Sequence, residues 1–251
     1  MARIAILHTS DLHNRLNSSL SARIREIKKV EGSCLLFDSG DAIGSGNIYW
    51  TPGGEETFEY MNSIPYDAMC AGNREFHIWS YGMNEKLCRA EFPVLSANLR
   101  PKGKVVVPVR QYTFFDRDGI RIGVFGLSVQ NVKKGFSFSY FISNYYHEDP
   151  IIAAKEIVCQ MIDKCDVLIA LTHIGIDKDK ELAQEVDGID LILGGHSHTA
   201  TSDPLCINNT VIIHHSYHGR FIGKTEILYE NGITCINDEM IPLLAEMIED
   251  D

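Results

Sequence analysis

Seven side chains able to ligate a metal recur along this 251-residue sequence, each at or just past the end of an apolar run. Asp11 and His13 follow the run 3–8, Asp41 follows 33–38 and Asn73 follows 66–71. His173 follows 167–171, and His196 and His198 follow 189–193 across the pair Gly194-Gly195. Each alone has a plain explanation: Asp41 as a turn residue, Asn73 as a helix cap, His173 as an ordinary histidine. Five coincidences of position are harder to dismiss. Imidazole is the commonest metal-binding side chain, and seven donors exceed one tetrahedral site but suit two ions sharing a bridging carboxylate. Mixed nitrogen and oxygen donors without a thiolate point to two divalent transition-metal ions, manganese first, with iron, zinc, cobalt or nickel as alternatives. Two such ions, roughly 3.5–4 Å apart, clamp the attacking and leaving oxygens of a phosphoryl transfer and bring the pKa of a bound water to near 7.

Short apolar runs that end in turn residues read as buried strands, and the segments between them carry helical spacing. Ser18 or Ser19 is placed to cap a helix through residue 30, with Leu20, Ile24, Ile27 and Val30 on one face. Further helices are expected over 55–63, 82–90, 151–164 and 178–185. Residues 105–115 and 120–127 read as a hairpin around Asp116-Arg117-Asp118-Gly119, and 42–54, rich in glycine, as a loop or flap. Residues 130–149 hold many aromatics without a period and read as a structured loop. Strands over 210–215, 221–229 and 233–237 finish the chain. The expectation is one domain over 1–251 of class α/β: two β-sheets packed face to face with helices outside.

The net charge of −11 leaves no basic run to hold a nucleic-acid backbone, so nucleic acid is excluded as a partner. Positive charge for an anionic substrate must be local. No stretch has the ~20 apolar residues of a membrane span, and the opening run is too short for a secretion signal. The seven cysteines lack paired spacing and read as reduced thiols, which makes the cytoplasm the expected location.

The blocks Asp11-x-His13, Gly40-Asp41, Gly72-Asn73-Arg74-Glu75, His173 and Gly194-Gly195-His196-Ser197-His198 resemble the calcineurin-like dinuclear metallophosphoesterases. With His8-Thr9-Ser10-Asp11-Leu12-His13, Tyr66-Asp67-Ala68-Met69 and Gly219-Arg220-Phe221-Ile222-Gly223, the chain looks most like the N-terminal catalytic domain of the 5′-nucleotidase group. The resemblance covers residue 4 to about residue 242. It implies a four-layer αββα sandwich of two mixed β-sheets flanked by helices. It also implies one ion on Asp11, His13 and His198, a second on Asn73, His173 and His196, and Asp41 bridging. The implied reaction is in-line attack of a metal-bridging hydroxide on a phosphomonoester or small phosphodiester, with Asn73 also touching the phosphate. The implied partner is a small phosphorylated substrate, nucleotides included, and no membrane.

Two departures stand out. The family block is Gly-Asn-His-Glu, and its histidine contacts the phosphate and assists the leaving group, often oriented by an aspartate three positions on. Here Arg74 and His77 occupy those places. A guanidinium stabilises phosphoryl charge but is a poor proton donor, so His77 is the remaining candidate acid. The chain also stops at Asp251, short of the family's C-terminal substrate domain, so that a partner subunit or a second copy is one source of a base-binding wall and Tyr49, Trp50 and the aromatics from Phe136 to Tyr146 are another. Two alternatives keep the same metals: a thiohydrolase-like enzyme, or a non-catalytic metal-binding subunit or sensor. Asp38 reads as a structural acceptor. His215, in the cluster His214, His215 and His218, reads either as support behind the metals or as a plain sheet-edge residue. Glu249-Asp250-Asp251 reads as a solvated tail.

Overall fold

In the computed structural model of the protein, β1 (Ala2–Thr9) shows how the layers arise. Ile4 and Ile6 face one hydrophobic cluster while Ala5 and Leu7 face another, so the strand is apolar on both sides. That pattern belongs to a strand covered on both faces. The structure describes residues 2–135, 137–215 and 217–243; Phe136 and the acidic tail Glu249-Asp250-Asp251 lie outside them.

The first sheet runs β14 (Ile233–Pro242), β13 (Phe221–Tyr229), β1, β2 (Cys34–Asp38), β3 (Ala68–Cys70) and β4 (Val94–Leu95). Strands β1 to β4 are parallel and β13 and β14 antiparallel. The second runs β11 (Leu205–Ile207), β12 (Thr210–His214), β10 (Leu191–Gly194), β9 (Val167–His173), β7 (Ile120–Ser128) and β6 (Tyr112–Arg117). Its four central strands are parallel and its two edge strands antiparallel. Between the sheets lie Ile6, Leu35, Phe37, Ile169, Leu171 and Leu193. Helices α1 (Ser18–Glu31), α2 (Thr57–Ser63) and α3 (Ser80–Leu87) cover the outer face of the first sheet. Helices α5 (Pro150–Met161) and α6 (Ile176–Glu185) cover the second. This is the four-layer αββα sandwich of two mixed sheets.

Several local expectations change. The cap of α1 is Asn17, whose side chain accepts from the Ser19 and Leu20 N–H groups, rather than Ser18 or Ser19. The hairpin's first strand begins only at Tyr112; among the residues before it, Arg110 makes one isolated bridge to Leu95. The aromatic loop contains a short helix, α4 (Phe138–Ile142), and β8 (Tyr145–His147), which pairs with β5 (Leu99–Pro101) in a separate two-stranded sheet. Strand β11 was not expected, because three half-exposed residues carry too little pattern. No helix among the described residues is long and apolar enough to cross a membrane.

Candidate metal centre

Strands β1, β2 and β3 of one sheet and β9 and β10 of the other end together, and the loops beyond their carboxyl ends meet. Open α/β sheets bind ligands at this kind of place. Asp11 donates its N–H to the Gly40 carbonyl at 2.9 Å, and His13 donates to that of Asp41 at 2.9 Å. Asp11, His13, Asp41, His196 and His198 all have positive φ, between 46° and 77°. Non-glycine residues in that region cost about 1–3 kcal/mol each and concentrate at functional sites. The glycines solve crowding: a Cβ on Gly72 would overlap Asp41, and one on Gly195 would overlap the Ser10 hydroxyl.

Two triads of donor atoms converge, Asp11–His13–His198 and Asp11–Asp41–His173. Asp11 Oδ1 lies 3.2 Å from His198 Nε2, 3.7 Å from His13 Nε2 and 3.9 Å from His173 Nε2. His173 Nε2 lies 3.4 Å from Asp41 Oδ1. The other ring nitrogen of His173, Nδ1, donates to the Ser39 carbonyl at 2.7 Å, which leaves the Nε2 lone pair facing the triad. Asp11 Oδ1, Asn73 Oδ1 and His173 Nε2 are buried without a hydrogen-bond partner. Orphaned buried donors are costly unless something fills the space between them. His196 stands on the wall, its ring 5.0 Å from that of His173, outside both triads. Its N–H fixes Asp11 Oδ2 at 3.0 Å.

The electrostatics call for a cation. Burial works against charge on His173, yet the carboxylates of Asp41, Asp11 and Glu75 outweigh it and lift the imidazole to about 10. Burial likewise opposes charge on Asp41, and His173 more than compensates, drawing that carboxyl down. Burial keeps His13 and His196 below the usual histidine range, the form that ligates. Nitrogen and oxygen donors, orphaned atoms and an excess of buried carboxylate therefore fit divalent transition metals.

The remaining candidates separate clearly. Arg74 borders the cleft, a hollow of about 430 Å³ between His13, Asp41, Asn73 and His198. Its N–H donates to Asp41 Oδ1 at 2.7 Å, its Nη1 to the Gly44 carbonyl at 2.9 Å, and its Nε is 3.8 Å from Asp41 Oδ2. His77 is placed elsewhere. Its ring is fully buried against Trp50, Trp79 and Gly82, and Nδ1 accepts the Trp79 N–H at 3.0 Å. It does not line the cleft and has no route for handing a proton to a leaving group there. Asp38 is a buried acceptor for Thr9 and the Gly40 N–H.

Three roles were not read from the sequence. Glu75 is fully buried and accepts the N–H groups of Gly72 (2.8 Å), Asp41 (2.9 Å) and Ile43 (3.2 Å), stitching two of the loops together. Burial and then Asp41 push its carboxyl up to about 7. His8 and His215 share a 2.7 Å contact between their Nδ1 atoms, with His8 Nε2 on the Ser39 hydroxyl and His215 Nε2 on Asp238 at 2.9 Å. The Ser39 hydroxyl is committed to the Leu193 carbonyl, so His8 donates from Nε2 and accepts at Nδ1; His215 therefore donates from both nitrogens. His215 thus braces Ser39, whose carbonyl holds His173. His218 enters the cleft on a left-handed backbone (φ 59°), its N–H on the Asp11 carbonyl at 2.8 Å. The first two belong to the Gly-Asn-x-Glu block and to the histidine cluster, which were visible as patterns without a partner.

Comparison with known proteins agrees with this geometry. Residues 4–200 match the family described as calcineurin-like phosphoesterase. The chain is 32% identical to human 5′-nucleotidase over 220 residues, covering 78% of this chain and 38% of that protein. It is 30% identical to the Bacillus subtilis trifunctional nucleotide phosphoesterase protein YfkN over 267 residues, covering 90% of this chain and 18% of the relative. The chain thus spans well under half the length of either. Haemophilus influenzae NAD nucleotidase has the same fold, with a TM-score of 0.80 at 22% identity over 96% of this chain and 56% of its own.

Proposed function

The chain belongs to the calcineurin-like phosphoesterase family, and from that premise we propose that it is a two-metal phosphohydrolase for small phosphorylated substrates, nucleotides among them. The observation that carries the reading is the convergence of unpartnered donors on Asp11, Asn73 and His173 beside His13, His198 and Asp41. Asp11, His13 and His198 would hold one ion and Asn73, His173 and His196 the other, with Asp41 between them and manganese the first choice. When bound, such ions supply Lewis acidity that activates water and neutralises phosphoryl oxygens.

The protein's own groups do the positioning. Ser39 fixes the His173 ring, and Glu75 holds the loops of Asp41 and Asn73 in register. Arg74 presents a guanidinium across the cleft from the histidines, suited to two phosphoryl oxygens at once. It cannot supply a proton, so hydrolysis by this site favours leaving groups that depart without one. We read residues 1–251 as one catalytic unit. The seven thiols, all unpaired, support a reducing compartment such as the cytoplasm.

The test is manganese-reconstituted protein assayed on p-nitrophenyl phosphate, its bis ester and a nucleotide panel, with metal content measured in parallel. The expected result is hydrolysis by the wild type and loss of both metal and turnover in Asp41→Ala. Two bound metals with silence on every phosphoester would overturn the phosphohydrolase reading.

A further inference from the structure

Arg74 is not the only cation at the cleft. On the opposite wall, beyond His13 and His198, the tyrosine ring of Tyr217 stacks on His198 at 4.8 Å between centroids and 11° between planes. The Arg220 guanidinium covers that ring at 4.8 Å and its Nη1 reaches the Tyr217 hydroxyl at 3.2 Å. His218 stands edge-on to His13 and His198, at 5.3 and 5.5 Å, inside the cleft. Arg15 lies two residues beyond His13 in a turn closed by its N–H on the Leu12 carbonyl at 2.8 Å. Burial lowers the affinity of His218 for a proton, and the charges of Arg15 and then, after His198, Arg220 add to this, so both guanidinium fields reach the cleft. Both arginines are exposed, and no carboxylate pairs with either among the described residues. In a chain with 34 acidic against 23 basic residues, two uncompensated guanidiniums beside a metal cleft form a local anion site.

We propose that Arg15, His218 and Arg220 form a second anion subsite, which receives a phosphate on the leaving-group side of the scissile bond and makes phosphoanhydrides the favoured substrates. This rests on the phosphohydrolase reading above and names its substrate class. The chemistry accounts for the absent acid. Water oxygen forms the new bond to phosphorus and its proton passes to solvent. The anhydride P–O bond breaks with its electron pair on the departing phosphate, whose second pKa of roughly 6 lets it leave as an anion. An alcohol leaving group would need the proton donor that Arg74 is not. Cations on the departing side stabilise charge that grows in the transition state, which is where binding raises turnover.

The experiment compares ADP, whose terminal phosphorus would be attacked with AMP leaving, with AMP, which must expel an alkoxide. The metal-loaded full chain is expected to show kcat/KM for ADP about 10²-fold or more above AMP, given what a general acid contributes. The double variant Arg15→Gln/Arg220→Gln should shrink that ratio at least tenfold. Calorimetry with methylenediphosphonate and methylphosphonate reads the same subsite without turnover: the diphosphonate should bind more tightly, and the variant should lose the margin. Hydrolysis of ADP and AMP at equal rates, or a ratio unmoved in the variant, would overturn the subsite while leaving the phosphohydrolase intact. Arginine-dependent diphosphonate binding without hydrolysis of either nucleotide would uphold the subsite and sink the phosphohydrolase.

Discussion

His147 makes the protein acid-sensitive from a position away from the metal ligands. It lies in β8, 2% exposed, with its ring 4.8 Å from Phe76 and its Nδ1 buried without a partner. Burial pushes its pKa from 6.5 down to about 3. A depressed histidine pKa means the unfolded chain binds more protons between those values. The associated stability is complete above pH 6.5, falls as the pH drops below it, and is exhausted near pH 3. The full gap corresponds to about 5 kcal/mol, and about 2 kcal/mol of it is gone at pH 5. Urea unfolding of wild type and His147→Gln at pH 7.5, 6.5, 5.5 and 5.0 measures this. The variant loses packing on Phe76 at every pH, so the informative quantity is the difference between the two stability curves. That difference should change by about 2 kcal/mol in the variant's favour between pH 7.5 and 5. Parallel curves would refute the reasoning, because titrations elsewhere, the metal ligands included, are common to both proteins. Since Phe76 adjoins Glu75, loosening at His147 should also reach the loop that carries Arg74.

Lys86, buried in α3, gives its ammonium to the carbonyls of Gly46, Arg74 and Phe76; Lys86→Met should cost about 3 kcal/mol in denaturant unfolding by orphaning them, and raise KM more than it lowers kcat. His215→Ala breaks the brace through His8 and Ser39 behind His173, and metal titration should show affinity weaker by roughly tenfold to a hundredfold. Arg74→Lys keeps the charge but not the fork, so steady-state kinetics should show kcat/KM down by about tenfold or more with metal content unaltered. Glu75→Gln turns one acceptor oxygen into a donor facing a backbone N–H, and thermal unfolding at pH 5, below its raised pKa of about 7, should show a loss of about 1–3 kcal/mol.

The strands that carry the site were legible because their local signals agreed. Runs such as Val167–Leu171 and Ile189–Leu193 are apolar on both faces, and each is followed by a ligating residue, so sheet, layer and site could be read together. Helix boundaries drifted by a few residues, and the cap of α1 moved to Asn17, because several polar residues in a row can each satisfy the same N–H groups. Strand β11 and the β5–β8 pair were invisible for a different reason: three-residue strands draw their stability from partners far along the chain. His77 shows the limit most plainly. Its spacing from Asn73 matched a catalytic pattern, but the turn buries its ring against Trp50 and Gly82 and away from the cleft. By itself the sequence determined the architecture and the ligand types, since burial periodicity and donor chemistry are local properties. Only the tertiary structure decided which histidines converge, that Glu75 and His215 are braces, and that Arg15 and Arg220 face His218. Those facts depend on distances between residues up to about two hundred positions apart, which packing of the two sheets sets and no local pattern records.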